Sequence, residues 1–285
     1  MIKVKSKIIS NSSKPFIIAE MSGNHNGSLS NAIKIVDLAA KCGVDAIKLQ
    51  TFTPNTITIK SKRKEFFIKD KKNIWKNQTL YDLYKKAYTP WEWHKKIFKR
   101  AKEKKIICFS SPFDETAVDF LEKLKVPIYK IASFENTHFP LLKKVAQTGK
   151  PIIMSTGLAT LKELKESVNF LRKNGCKKLA LLKCTSSYPA NIEDLNLATI
   201  PDLRKRFNCE VGISDHSIGI SAAVTATSLG ATIIEKHFSL KKNLGLDSKF
   251  STQGPEMKNL IEHTTKAWKS FGKIVYGPTK NEKRF

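Results

Sequence analysis

Gly43-Val44-Asp45-Ala46-Ile47-Lys48-Leu49-Gln50-Thr51 follows directly on an amphipathic stretch at 30–42. Apolar residues at helical spacing stop at a glycine, and a short apolar run begins at once. Glycine there accepts the left-handed conformation that closes a helix, and the chain turns promptly into a strand. The same junction recurs at Thr148-Gly149-Lys150, Asn174-Gly175-Cys176 and Leu229-Gly230-Ala231. Working outward, strand-like runs fall at 15–19, 46–51, 106–110, 128–132, 151–155, 178–184, 210–213 and 232–237. Helical patterns follow them at 30–42, 90–104, 115–124, 139–148, 161–174, 201–207, 220–229 and 256–272. Strand and helix alternate through the whole chain, which predicts an α/β fold with a parallel sheet.

Eight such units within 285 residues fit a closed (β/α)8 TIM barrel. A doubly wound open sheet is the alternative, but its glycine-rich dinucleotide fingerprint is absent. One connection is out of scale: residues 52–90 follow the second strand and carry Trp75, Tyr81, Tyr84 and Tyr88. Long connections in compact domains tend to be functional. A cover over the site or a subunit contact is expected there.

Composition narrows the class. Hydrophobic residues make up 41% of the chain, enough to build a core. Met1-Ile2-Lys3-Val4-Lys5-Ser6-Lys7 is basic like a secretory leader but lacks its apolar core, and no run is long enough to span a membrane. A cytoplasmic location without membrane attachment is the expectation. Cys42, Cys108, Cys176, Cys184 and Cys209 are odd in number and form no Cys-x-x-Cys pair, against a disulfide framework or zinc knot. Cys108 and Cys184 read as small buried hydrophobes. The net charge of +26 raises the alternative of a nucleic-acid-binding barrel protein. The lysines are spread over most helices instead of gathering on one face, so no nucleic-acid partner is expected. Their field would instead help to collect an anionic substrate.

In a barrel, functional side chains lie where strands end. Here those ends are polar: Glu20, Lys48 and Gln50, Ser111, Lys130 and Ser133, Ser155, Ser186 and Tyr188, Ser214 and His216, Glu235 and His237. Period-2 geometry puts Lys48 with Gln50, Ser214 with His216, and Glu235 with His237 on shared faces. If Lys48 points inward, its ammonium needs an anionic partner. That partner is either a glutamate, Glu20 or Glu235, or a bound anion. Two lysines ringed by hydroxyls favour a bound phosphate and carboxylate. His216 and His237 end neighbouring strands ~4.8 Å apart, so both can reach one divalent metal. Two imidazoles with oxygen ligands suit Mn²⁺, Co²⁺ or Zn²⁺ better than Mg²⁺. His25 either contacts substrate or caps the following helix.

Several stretches then carry a resemblance. Ile18-Ala19-Glu20-Met21-Ser22-Gly23-Asn24-His25-Asn26-Gly27, Asp45-Ala46-Ile47-Lys48-Leu49-Gln50-Thr51, Phe109-Ser110-Ser111-Pro112-Phe113 and Tyr129-Lys130-Ile131-Ala132-Ser133 are four of them. Lys183-Cys184-Thr185-Ser186-Ser187-Tyr188-Pro189, Gly212-Ile213-Ser214-Asp215-His216 and Ile234-Glu235-Lys236-His237-Phe238 complete the set. In this order the chain resembles the sialic acid synthase family. Glu20-Met21-Ser22, Leu80-Tyr81-Asp82-Leu83-Tyr84 through Tyr88-Thr89-Pro90-Trp91-Glu92-Trp93-His94, and Asp247-Ser248-Lys249-Phe250-Ser251 look like its pseudaminic acid synthase branch, with N-acetylneuraminate and legionaminate synthases as alternatives.

The resemblance implies a reaction in which phosphoenolpyruvate adds to the open-chain aldehyde of an amino-sugar, water attacks, and phosphate leaves. It implies that Lys48, Ser111, Lys130, Ser133, Ser186 and Ser214 hold phosphoenolpyruvate and that Gln50, Tyr188, Asp247 and Glu20 meet the sugar. Glu20, Glu235 and Lys48 are the implied catalytic groups. His216 and His237 are the implied ligands of a divalent metal, with Mn²⁺ expected and Mg²⁺ or Co²⁺ as alternatives. Ser186 stands where these synthases often carry asparagine. The family usually adds a small antifreeze-like domain, which caps the partner subunit's site. The expectation here is a barrel domain over 1–272 without that C-terminal antifreeze-like domain. Residues 273–285 would start a linker to an absent C-terminal cap, and a homodimer is expected only if a cap is present.

Overall fold

The computed structural model describes residues 1–69 and 74–284. Strands β1 (Ile2–Val4) and β2 (Lys7–Ile9) open the chain as an antiparallel hairpin. The next eight are β3 (Phe16–Glu20), β4 (Ala46–Thr51), β5 (Ile107–Pro112), β6 (Tyr129–Ile131), β7 (Ile152–Ser155), β8 (Leu179–Cys184), β9 (Glu210–Asp215) and β10 (Ile233–His237). They run parallel in sequence order, and β10 pairs with β3 to close the barrel. Between them lie α1 (Leu29–Cys42), α2 (Pro54–Ile57), α3 (Leu80–Ala87), α4 (Trp91–Glu103), α5 (Glu115–Lys123), α6 (Phe139–Gln147), α7 (Leu161–Lys173), α8 (Thr199–Phe207) and α9 (Ser221–Ser228), and α10 (Gly254–Phe271) ends the fold. The expected (β/α)8 barrel is therefore present, each of its eight expected strands and eight expected helices within a few residues of its expected place.

Two apolar layers follow from the strand period. Outward-facing strand residues such as Ile17, Ala19, Ile47, Leu49 and Ile131 pack against the helices. Inward-facing Ile18, Ala46, Ile107, Phe109, Ile128, Ile153, Ala180, Leu182 and Ile233 fill the lumen. Ile2, Val4 and Ile9 join that inner layer, so the hairpin plugs the barrel at its N-terminal end. Lys7 ties the plug to Asp45 at 2.7 Å, and Asp45 in turn accepts the Ile17 N–H. Sequence periodicity did not reveal this hairpin, because three-residue strands carry too few alternations.

Residues 272–284, after α10, are exposed, and Phe285 lies outside the described residues. Residues 70–73 of the long 52–90 connection also lie outside them. The rest of that connection holds α2, α3 and an antiparallel bridge between Phe67 and Thr79. Among the described residues no helix is long and apolar enough to cross a membrane.

Candidate active site

The inward face of each barrel strand changes from apolar to polar as it nears the C-terminal end. On β3, Ile18 is followed by Glu20; on β4, Ala46 by Lys48 and Gln50; on β5, Phe109 by Ser111. On β9 and β10, Ser214 and Glu235 point inward, and His216 and His237 lie one step further up. Strand register then sets the neighbours: Glu20 lies across from both Lys48 and His237, Gln50 from Ser111, and Glu235 from Ser214.

Two buried lysines form the floor. Lys48 pairs with Glu20 in a close contact, stands 3.8 Å from Glu235 and donates to Ser111 at 3.2 Å. Lys130 stands 3.6 Å from the other oxygen of Glu235 and donates to Ser155 at 2.6 Å. Both lysines are thus paired with the glutamates that the sequence offered as partners. Glu235 also accepts from Ser214 at 2.9 Å. Burial disfavours the Lys48 ammonium, but Glu20 and Glu235 outweigh it and raise its pKa. Burial wins at Lys130, which has only part of Glu235 and is repelled by Lys48, so its pKa is lowered. The Glu235 carboxyl is held below the usual range because the two ammonium groups overcome its burial.

Beside this floor is a cradle of serines. The buried Ser133 hydroxyl makes no hydrogen bond among the described residues. A Cβ at Gly157 would lie 2.6 Å from Ser133 Oγ and would also strike Ser186 Oγ, so only glycine leaves the space open. Asn136 holds the backbone behind it, donating to the Ser155 carbonyl at 3.3 Å and the Gly157 carbonyl at 3.0 Å. Ser133, Ser155 and Ser186 with Lys130 make a donor set suited to an anion.

The two histidines face each other across the wall, ring centroids 5.3 Å apart. His216 Nδ1 donates to the Thr185 carbonyl at 2.9 Å, which leaves Nε2 with its lone pair. His237 Nδ1 faces the Asp247 carboxylate at 3.4 Å. The acceptor behind His216 orients that ring as metal-binding histidines are oriented, whereas His237 Nδ1 approaches Asp247 without a hydrogen bond. Among the described residues no third His, Cys, Asp or Glu completes a metal cluster with them. The pair therefore fits an ion whose other ligands are oxygen atoms of substrate or water. Asn24 places Asp247, accepting its N–H at 3.2 Å and donating to Phe238 O at 3.0 Å and Ser251 Oγ at 2.9 Å. Gly245, at φ +100°, packs directly on Asn24, where a side chain would collide.

Tyr188 covers the histidines, its ring 4.4 Å from His216 and 5.5 Å from Phe250. Gln50 is half-buried on the same inward face as Lys48. The residues that the resemblance assigned to substrate and metal thus reach one mouth. Three neighbours there were read otherwise or passed over. Glu135, on a 3-10 turn after β6, has one buried oxygen without a hydrogen-bond partner, and burial pushes its pKa up to about 7. Its place after a strand end was its only signal. Cys184 is indeed buried, but its Sγ lies 3.9 Å from His216 Nδ1, so it belongs to the site wall. His25 is buried, with partners of its own: Nδ1 accepts the Gly27 N–H and Nε2 reaches Thr89, while Ser28 caps α1. The cap expected of His25 is made by Ser28 instead. Lys236 and Asp215 pair at 2.7 Å on the outward face and serve the barrel wall.

A profile of the NeuB family matches residues 35–276. The chain belongs to the NeuB family. This NeuB chain is 46% identical to a pseudaminic acid synthase of Campylobacter jejuni subsp. jejuni serotype O:2, over 91% of its length and 75% of that protein. It is 39% identical to the N,N'-diacetyllegionaminic acid synthase of the same organism, over 95% of the chain and 81% of that protein. Its fold is similar to the N-acetylneuraminic acid (sialic acid) synthetase of Leptospira borgpetersenii serovar Hardjo-bovis, solved in complex with citrate. The TM-score is 0.89 and the identity 31%, covering 99% of this NeuB chain and 94% of that one.

Proposed function

We propose that the chain is a pseudaminic acid synthase, a transferase that condenses phosphoenolpyruvate with 2,4-diacetamido-2,4,6-trideoxy-L-altrose and water and releases phosphate. The observation that carries the choice of sugar is the identity of 46% to a pseudaminic acid synthase, against 39% to a legionaminic acid synthase from the same organism. The site's chemistry supports the same reaction class. Lys48, Lys130, Ser111, Ser133, Ser186 and Ser214 hold the phosphate and carboxylate of phosphoenolpyruvate. An incoming dianion would compete with Glu20 and Glu235 for the two lysines and find the free Ser133 hydroxyl and the Gly157 gap waiting.

Glu20, Gln50, Tyr188 and Asp247 hold the sugar. His216 and His237 hold a divalent metal, Mn²⁺ in this reading, which supplies Lewis-acid polarisation of the aldehyde when bound. Glu235, beside both lysines and Ser214, is placed to hold or move a proton near the reacting carbons. The low polarity below the mouth, where Phe109 and Ile153 fill the lumen, strengthens each of these charge contacts. The barrel domain spans 1–272, residues 273–285 are a linker, and the enzyme works in the cytoplasm.

The test is incubation with phosphoenolpyruvate, Mn²⁺ and each candidate amino-sugar in turn, following phosphate release and product mass. Phosphate and the corresponding nonulosonic acid are expected with the trideoxy-altrose. Turnover of the legionaminate precursor or N-acetylmannosamine alone would transfer the assignment to that branch.

A further inference from the structure

The long connection after β4 returns to the mouth at one aromatic side chain that the site described above does not use. Trp75 is half-buried, and its indole N–H donates to the Leu246 carbonyl at 3.1 Å, immediately before Asp247. Its ring lies 5.7 Å from that of Tyr188. Tyr188 in turn packs on His216 and Phe250, and Phe250 lies 4.9 Å from His237. Trp75 is held from behind as well: its carbonyl accepts from Gln78 at 3.1 Å, and the Phe67–Thr79 bridge fixes the base of that segment.

We propose that Trp75 is a specificity-determining residue, forming with Tyr188 and Phe250 an apolar wall for the deoxygenated end of the acceptor sugar; this rests on the pseudaminic acid synthase reading. The mouth is divided by chemistry. Both floor lysines and Ser111, Ser133 and Ser155 lie on the β4–β7 side, and the rings of Tyr188, His216, His237 and Phe250 gather on the β8–β10 side beside Ser186 and Ser214. With its N–H engaged by Leu246, the indole adds chiefly apolar ring to the wall it forms with Tyr188. Trp75 stands one ring beyond Tyr188 from the histidines, and an open six-carbon chain of ~1.5 Å bonds spans on the order of 6 Å. A sugar with its aldehyde at His216 and His237 and its chain laid along Tyr188 would bring its last carbons toward Trp75. A methyl group there is buried against the rings at no polar cost. A hydroxyl would lose water without finding a partner.

The experiment compares two acceptors: 2,4-diacetamido-2,4,6-trideoxy-L-altrose and a 2-acetamido-2-deoxyhexose bearing hydroxyls at C4 and C6. Trp75→Ala is expected to lower the ratio of their kcat/KM values by ~10-fold, the discrimination an apolar pocket gives per methyl-sized group. The KM for phosphoenolpyruvate should stay within ~2-fold of wild type, on the same reasoning. Trp75→Phe keeps an apolar ring but lacks the N–H donor, and should keep most of the ratio. An equal loss on both sugars, or a Trp75→Phe variant as impaired as Trp75→Ala, would overturn the proposal. If the wild-type enzyme turns over neither sugar, the proposed function fails on its own. The wall is then read from the change in indole fluorescence on adding the trideoxy sugar with phosphoenolpyruvate. That change should be present in wild type and missing in Trp75→Phe, and its absence from wild type would sink the wall.

Discussion

Lys48 is a fully enclosed cation whose two carboxylate neighbours, Glu20 and Glu235, raise its pKa against the pull of burial. Removing it leaves both glutamates in a dry place with half their compensation gone. Lys48→Ala should raise the KM for phosphoenolpyruvate at least ~10-fold, since a hydrogen bond to a charged group contributes about 1.5–3 kcal/mol. Steady-state kinetics with phosphoenolpyruvate as the varied substrate checks this, and an unaltered KM would contradict the assignment. The same substitution should lower stability by about 3–5 kcal/mol, the cost of breaking a buried pair. His237 is different in kind. Its ring meets Asp247 and packs on Phe250, but it carries no part of the barrel's hydrogen-bond ladder through its side chain. His237→Ala should therefore abolish metal-dependent turnover while circular dichroism stays that of the wild type. Wild-type turnover that survives thorough chelation would refute the metal role outright.

The elements divide into those with a strong period and those without. Helix α7 is bounded by a capping box, Thr160 with Glu163, and buries Leu164, Val168 and Leu171 at helical spacing. Such a segment is readable before folding because its ends and its face are both written locally. The β1–β2 hairpin is the opposite case. Ile9 is fully buried in the lumen layer with Phe16, Ile18 and Ile233 around it in the same cluster. Its burial depends on a barrel bottom assembled from strands far along the chain. Ile9→Ala should cost about 2–5 kcal/mol, the range for deleting a large apolar core side chain. Urea unfolding measures it, and a loss under ~0.5 kcal/mol, as at a surface position, would show that the hairpin is not a plug. The long 52–90 connection lies between these cases. Its aromatic content marked it as functional, but only Trp75's hydrogen bond to Leu246 and its contact with Tyr188 reveal which residue reaches the mouth.

At the scale of the whole molecule, pH reports on two histidines that the site does not use. Burial lowers the pKa of His25 and of His94 to about 4. His94 packs in the α4 layer, with Nε2 2.9 Å from Thr51 Oγ1 and Nδ1 3.3 Å from the Pro90 carbonyl. An unfolded histidine titrates near ~6.5. As pH falls through that value the unfolded chain takes up protons that the folded chain refuses. Stability then declines until the folded histidines also protonate near pH 4. Between pH 7 and pH 5 each histidine should remove up to about 2 kcal/mol. Urea midpoints at the two pH values, compared with His94→Gln, give the test: the variant should lose about half of this histidine-linked decline. An identical pH slope in both proteins would count against it. What the sequence by itself determined is the order of eight βα units, the polarity of the strand ends and, through ordered motifs, the family. Each of these is carried by a local period or by a short contiguous stretch. Tertiary structure alone decided which polar strand ends share a space. The pairing of Lys48 with Glu20 and Lys130 with Glu235, the gap that Gly157 leaves beside Ser133, and the approach of Trp75 to Tyr188 all arise between distant segments. The physical reason is that strand register and barrel closure set these distances, and neither is encoded in any one stretch of residues.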